Sequence, residues 1–260
     1  MENHSFYNTP EIVAGYALET HLQAPEESIV SELIAKLAQF DVLDIGIGGG
    51  RTTLHLAGRC KTYTGVDINP NMISACNQRF KNWPHNIAFS IADARTLENL
   101  ADNSYDLVLF SFNGIDYVNH QDRIRALASI YRVLRPGGYF VFSSHNTNCI
   151  PSLLSLRTHL SRNPINTARG VVQWLKLNFI HNNRSTIKQA NKSARVMLND
   201  GAFNFSLQTY YVSAQEQIRQ LDGMFSIDNI YSLTSGRPFT TLEHAESSTD
   251  SWLYYVCTKT

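Results

Sequence analysis

The sequence predicts a doubly wound α/β domain, with a mostly parallel seven-stranded sheet and an inserted cap. Three observations predict it. From Gln39 to Ser143, short apolar runs alternate with amphipathic stretches, the pattern of βα units. An apolar strand over Val42–Ile45 runs straight into Gly46-Ile47-Gly48-Gly49-Gly50. After Ile150 a segment rich in Ser, Asn and basic side chains interrupts the alternation, which then resumes. A chain of 260 residues can bury roughly 70–75% of its unfolded surface, so this plan needs no disulfide or metal to hold it.

Ahead of the alternation, Pro25 opens a helix in which Ile29, Val30, Leu33, Ile34 and Leu37 recur at helical spacing. Glu26 and Glu27 occupy its first turn, where the helix dipole favours acid. Strands follow near Asp41–Gly46, Thr62–Asp67, Ile87–Ile91, Asp106–Phe112 and Tyr139–Ser143. Helices separate them near Arg51–Ala57, Pro70–Arg79 and Gln121–Leu134, the last stopped by Arg135-Pro136-Gly137-Gly138. Beyond the cap, Ser213–Leu221 reads as a helix, and Phe225–Leu233 and Trp252–Thr258 as strands. One domain over residues 1–260 is expected, with an N-terminal lid segment over 1–24 and a basic cap over 150–205.

With 43% hydrophobic and 17% charged residues, 14 Gly and 4 Cys, the chain is neither a collagen, a disulfide scaffold nor a disordered tail. Cys60, Cys76, Cys149 and Cys257 are scattered, with no C-x-x-C pair and no His at ligand spacing. That predicts reduced thiols, no bound metal and a cytoplasmic setting. No apolar run of ~20 residues occurs, so no stable membrane insertion is expected. The net charge of zero hides an asymmetry. Between Pro151 and Asn199 stand Arg157, Arg162, Arg169, Lys176, Arg184, Lys188, Lys192 and Arg195 with no acidic residue, which leaves 14 basic against 22 acidic residues elsewhere. Such a block either pairs with the acidic remainder or awaits an anionic ligand. Within it, Val171–Ile180 is apolar apart from Lys176 and two polar residues, and fits a helix capping a pocket or one touching a membrane surface.

Glycines let a backbone take positive φ and approach a ligand closely, and a helix start offers free N–H groups. Strand, glycine turn and helix together therefore form a nucleotide-type site. A dinucleotide fingerprint G-x-G-x-x-G counted from Gly46 needs Gly or Ala where Arg51 stands; counted from Gly48, it meets Thr53. The pattern is instead D-x-G-x-G-x-G, starting at Asp44.

This resembles motif I of the class I S-adenosylmethionine-dependent methyltransferases, a Rossmann-like family, and the resemblance continues in register. Gly65–Met72 is similar to the family's second strand end, Ile91–Ala94 to its third, and Tyr105–Asn113 to its fourth strand. Arg132–Gly138 is similar to its R-x-L-x-P-G-G turn. The resemblance implies S-adenosylmethionine as cofactor, S-adenosylhomocysteine as product, and cofactor contacts from Asp44, Gly46, Gly48, Gly50, Asp67, Ile68, Met72, Asp93, Ala94, Ser111 and Phe112. Asp67 would take both ribose hydroxyls, since one carboxylate accepts two such bonds, and Asp93 would take the adenine amino group. Standing alone, either could equally serve as a cap or turn residue. Ser111-Phe112-Asn113-Gly114 lacks the Asn/Asp-Pro-Pro-aromatic motif that holds a flipped base, so no DNA partner is expected. The stretch is most similar to bacterial small-molecule methyltransferases.

Methyl transfer from a sulfonium is an in-line displacement that needs alignment and exclusion of water. A hydroxyl acceptor also profits from a base, and His145, just past a strand end, is the best-placed imidazole; its alternative is a packed or rim residue. Asn113, Asp116, Tyr117, Asn146, Tyr210 and Tyr211 are candidate acceptor contacts, with Tyr210 and Tyr211 entering the Ser213 helix, and Tyr7 and Tyr16 are candidate lid residues. The expected activity is methyl transfer to an O or N atom of a small metabolite, an anionic one if the basic cap faces it, by a monomer or homodimer. Three other readings stay open on the sequence: an RNA or carrier-bound acceptor, an NAD-dependent oxidoreductase, and a cofactor-binding protein without catalysis.

Overall fold

The apolar runs become the strands of one sheet in a computed structural model that describes residues 15, 16, 18–83, 86–190 and 192–260. β1 (Asp41–Ile45) is buried at every position and lies between β2 (Thr62–Asp67) and β4 (Tyr105–Phe110). β3 (Ile87–Ile91) flanks β2, and β5 (Leu134–Asn146) flanks β4; all five are parallel. β9 (Trp252–Lys259) runs antiparallel to β5 and to β8 (Phe225–Ser232), so the main order is β3-β2-β1-β4-β5-β9-β8.

Alternate residues of each strand feed the two faces. Val42, Tyr63, Leu109, Val141 and Tyr254 pack on Ile29, Val30, Leu33 and Leu37 of α1 (Ala24–Leu37) and on Leu56 of α2 (Thr53–Leu56). Leu43, Val108, Phe110, Phe140, Phe142 and Tyr255 pack on the opposite face, against Leu127, Ile130 and Val133 of α4 (His120–Val133). α3 (Pro70–Arg79) starts where the Asn69 side chain accepts from the Asn71 N–H at 2.9 Å, and α4 where Asn119 accepts from Asp122 at 3.0 Å. α4 ends at Val133, one residue before the expected Leu134, which is already extended. Pro136 disfavours helical backbone at Arg135, and β5 begins at once. β5 also outruns its expected end at Ser143, because β9 pairs with it as far as His145.

The inserted segment holds α5 (Ile150–Leu153), α6 (Pro164–Leu175), α7 (Arg184–Ala190), β6 (Arg195–Leu198) and α8 (Ala202–Phe205), and leads into β7 (Thr209–Val212). β6 and β7 form an antiparallel ribbon, and β7 pairs parallel with the tip of β5 at His145 and Asn146. The sheet therefore has nine strands rather than seven. Tyr210 and Tyr211 sit on this buried ribbon and do not open the next helix, because Thr-Tyr-Tyr-Val is a strong strand former that finds an edge to pair with. That helix, α9 (Ala214–Leu221), starts after Ser213, whose hydroxyl caps Glu216 at 3.2 Å. Ile150, Ala190, Val196, Leu198 and Tyr211 make a separate small core beneath the segment. α6 buries none of its residues. α10 (Leu242–Ser247) precedes β9. Among the described residues no helix is long and apolar enough to cross a membrane.

Candidate active site

The glycine turn after β1 is built to lie close to a ligand. Gly46 and Gly48 have φ of +67° and +51°, and a Cβ on Gly46 would meet the Phe110 ring at 3.1 Å. From behind, α3 holds the turn: the Cys76 thiol reaches the Gly48 carbonyl at 3.2 Å and Arg79 donates to the Gly49 carbonyl. In front, the Asp67 carboxylate accepts from the N–H of Gly48 at 3.0 Å and of Asn69 at 2.9 Å. Burial pushes the Asp67 carboxyl up, against these backbone bonds.

A cavity of about 1000 Å³ opens along the carboxyl ends of β1, β2, β3 and β4. Gly46, Gly48, Asp67, Ile68, Met72, Asp93, Ala94, Ser111 and Phe112 line it, nine of the eleven residues that the resemblance assigned to a cofactor. The other two do not reach it. Asp44 is buried under the turn and accepts from Thr52 Oγ1 and, at 2.6 Å, from Tyr63 OH. Burial pushes its carboxyl up to about 6 in spite of those donors. Gly50 packs against Phe80 and Cys76. Asp93 lines the cavity with its carboxylate already clamped by Arg95, Nε to Oδ1 at 3.0 Å and Nη2 to Oδ2 at 2.6 Å. Tyr16 covers the turn beside Gly48, and burial with the Asp67 charge pushes its phenol up to about 12. The described part of the 1–24 segment is tied there by Arg51 to the His21 carbonyl at 3.1 Å. Tyr7 lies outside the described residues.

Of the candidate acceptor contacts, Tyr117 alone lines the cavity, and burial pushes its phenol up. Asp116 is fully buried. Its carboxylate accepts from Arg123, from Ser144 Oγ at 2.8 Å, and from both the backbone N–H of His145 and its Nδ1 at 2.7 Å. His145, wedged between Tyr211 and Trp252, is set behind the cavity wall, with Nε2 at 3.5 Å from Asn113 Nδ2. Asn146 ties down the Ser248 and Asp250 carbonyls, Tyr210 bonds His120 and Gln220, and Tyr211 donates to Asp200 at 3.0 Å. None of these residues is among the described lining of the cavity, and each is held by partners that only the folded chain brings together. The β4–α4 turn that they support carries Phe112 and Asn113 at φ of +55° and +61°, two consecutive left-handed residues at the cavity rim. Such strain persists only when its surroundings impose it. Ser143 Oγ accepts the Asn113 N–H at 2.8 Å as part of that restraint.

A second network joins residues that are far apart in sequence. Arg51 forks onto Glu26, with Nη2 to Oε1 at 2.7 Å, and also reaches Ser111 Oγ at 3.0 Å and the face of Phe112. Glu26 further accepts from Ser111, from Tyr254 OH at 2.8 Å and from the Gln23 N–H at 2.7 Å. Burial alone would raise the Glu26 carboxyl, but these donors, Arg51 first, hold it below its usual range. The network welds α1, the glycine turn and the end of β4 together. Met197, Asn199, Ser206, Leu207 and Gln208 close the far wall of the cavity, so among the described residues the inserted segment reaches the site through β6 and the stretch between β6 and β7.

Strand order, glycine turn, carboxylate at the β2 end and cavity at the strand ends match the Rossmann-like fold of class I methyltransferase structures. Residues 42–138 match the family model described as methyltransferase domain. Over that stretch the chain matches a methyltransferase domain, and its fold is that of solved S-adenosylmethionine-dependent methyltransferases. Over 133 residues it is 33% identical to a malonyl-[acyl-carrier protein] O-methyltransferase of Marinomonas sp., covering 49% of this chain and 47% of that protein. Over 108 residues it is 37% identical to a fatty-acid O-methyltransferase of Mycolicibacterium smegmatis, covering 39% of this chain and 36% of that one. The chain thus spans half or less of the length of these curated relatives. Its fold is similar to that of a Burkholderia thailandensis 1,6-didemethyltoxoflavin-N1-methyltransferase, solved with its substrate and S-adenosylhomocysteine, with a TM-score of 0.56, 16% identity, and 92% and 79% of the two chains covered.

Proposed function

We propose that this protein transfers a methyl group from S-adenosylmethionine to an ionised carboxylate oxygen of a small molecule with an apolar body. One observation carries the acceptor class: among the described residues, no imidazole and no lysine lines the cavity. Its titratable lining groups are Tyr16, Asp67, Asp93, Arg95, Tyr117 and Asp122. Both tyrosines hold their protons by burial, Asp93 and Asp122 are paired with Arg95, and Asp67 is engaged by the turn. A hydroxyl acceptor would find no proton taker among the described lining residues, whereas a carboxylate arrives with its lone pair exposed. The two O-methyltransferases among the relatives support the same class.

The cofactor, when bound, supplies an electrophilic sulfonium methyl. The residues present fit it: Gly46 and Gly48 leave space a Cβ would fill, Asp67 offers carboxylate oxygens for a ribose, and Asp93 and Ala94 stand at the β3 end. Phe112, Leu207 and Met197 exclude water from the acceptor side, and the exposed Ser206 and Gln208 offer neutral hydrogen bonds to a carboxylate. The Asp116–His145–Asn113 chain positions the rim turn. Tritiated methyl cofactor, offered with fatty acids and with the matching alcohols and amines, tests the reading: it expects label that alkali releases as volatile methanol. Alkali-stable label on the alcohol or amine alone overturns it. His145→Ala should lower turnover less than about tenfold, and a loss of 10²–10⁴ would make His145 a general base instead.

A further inference from the structure

The basic segment's cations neither pair broadly with the acidic core nor face the cavity. None of its eight cations lines the cavity. Among the described residues Arg195 alone forms an ion pair, with Glu216 at 2.8 Å, so the other seven are not spent on the acidic core. Three of them, Arg162, Arg169 and Lys176, stand on or beside an exposed helix, α6. On α6 the residues Thr167, Val171 and Trp174 turn toward the segment, where the Trp174 indole donates to the Leu154 carbonyl at 2.9 Å. Ile165, Ala168, Val172 and Leu175 recur at the spacing of one face of α6, Phe179 follows in the π-helical turn Lys176–Ile180, and all five are exposed. Ile165, Val172 and Phe179 are 63%, 52% and 60% accessible, and the neighbouring Ile180 is 69%. Arg169 follows Ile165 by four positions and so flanks the stripe, Arg162 stands just before the helix, and Lys176, half-buried just past its end, lies over the Phe205 ring at 5.5 Å.

We propose that this face binds the surface of an anionic lipid bilayer, with α6 lying in the plane of the interface. A helix with an apolar stripe and cations alone beside it sinks that stripe into the headgroup boundary and sets the cations against lipid charge. Charge complementarity favours this occupant, since seven unpaired cations stand without one acidic residue from Pro151 to Asn199. The stripe is also convex: a flat bilayer receives it as it is, whereas a protein partner would need a groove. The proposal does not depend on the acceptor class.

Flotation of the full chain with vesicles tests it. At about 0.1 M salt the chain should float with phosphatidylglycerol vesicles, stay in solution with phosphatidylcholine alone, and be released as salt rises. Val172→Asp with Phe179→Asp should weaken binding at least about tenfold, as should Arg162, Arg169 and Lys176 together changed to Gln. All five are exposed or half-buried and outside the cavity, so melting temperature and S-adenosylhomocysteine affinity should hold in both variants. Flotation with phosphatidylglycerol that the double Asp variant leaves intact overturns the proposal, as does its absence in the parent chain. A stripe-dependent dimer or complex with an acidic soluble protein, without flotation, also overturns it.

Discussion

The rim of the sheet and the inserted segment use charge in opposite ways. At the rim, Arg123 and Asp116 are both wholly buried, and Arg51 and Glu26 nearly so, each charge held by several further hydrogen bonds. In the segment, six of eight cations are exposed and form no ion pair among the described residues, and α6 buries nothing. The contrast follows from solvation. A charge taken out of water must be matched on every side, so the rim is cross-linked by its partners. A charge left in water costs little and stays available to a partner.

The largest expected effect is at the rim. Asp116→Ala leaves Arg123 buried without its counter-charge and should cost about 3–5 kcal/mol, measured by denaturant unfolding. A loss below about 1 kcal/mol would erase the contrast between the two regions. Next comes Asp44. The folded chain keeps its proton up to about 6, against 3.8 ordinarily. The stability it adds is therefore full below about pH 4 and lost as pH rises to 6, on the order of 2–3 kcal/mol. Asp44→Asn should flatten that decline, so the stability gap between variant and parent narrows from pH 4 to pH 7. A gap that widens would mean that the Thr52 and Tyr63 hydroxyls outweigh burial.

Asp67→Ala removes the carboxylate from the middle of the cavity. S-adenosylhomocysteine affinity should fall at least about tenfold by calorimetry, from a loss of roughly 1.5–3 kcal/mol. The smallest effect is expected in the segment. Replacing the exposed Arg184, Lys188 and Lys192 with Gln should change stability by less than about 0.5 kcal/mol and leave the acceptor's KM unchanged. A raised KM would return these charges to the site as an acceptor-selecting lid, and a lowered melting temperature would return them to the core.

The sequence by itself determined whatever depends on near neighbours. The periods of Thr62–Asp67 and Pro70–Arg79 match the observed β2 and α3 residue for residue, and the glycine turn with Asp67 was legible because each rests on contiguous residues. Phe112 and Asn113 were legible only in part: Asn113-Gly114 marks a turn, while the paired left-handed backbone needs Ser143 and His145 from β5 to hold it. Tertiary structure alone decided the rest. It turned Asp116, His145, Tyr210 and Tyr211 away from the cavity, and Met197, Leu207 and Gln208 into it. It joined Arg51 to Glu26 across 25 positions, and Arg123 to Gln217 and Gln220 across more than ninety. It also left α6 uncovered. Periodicity states which side of a helix is apolar; whether anything packs on that side is settled by the long-range fit of the chain.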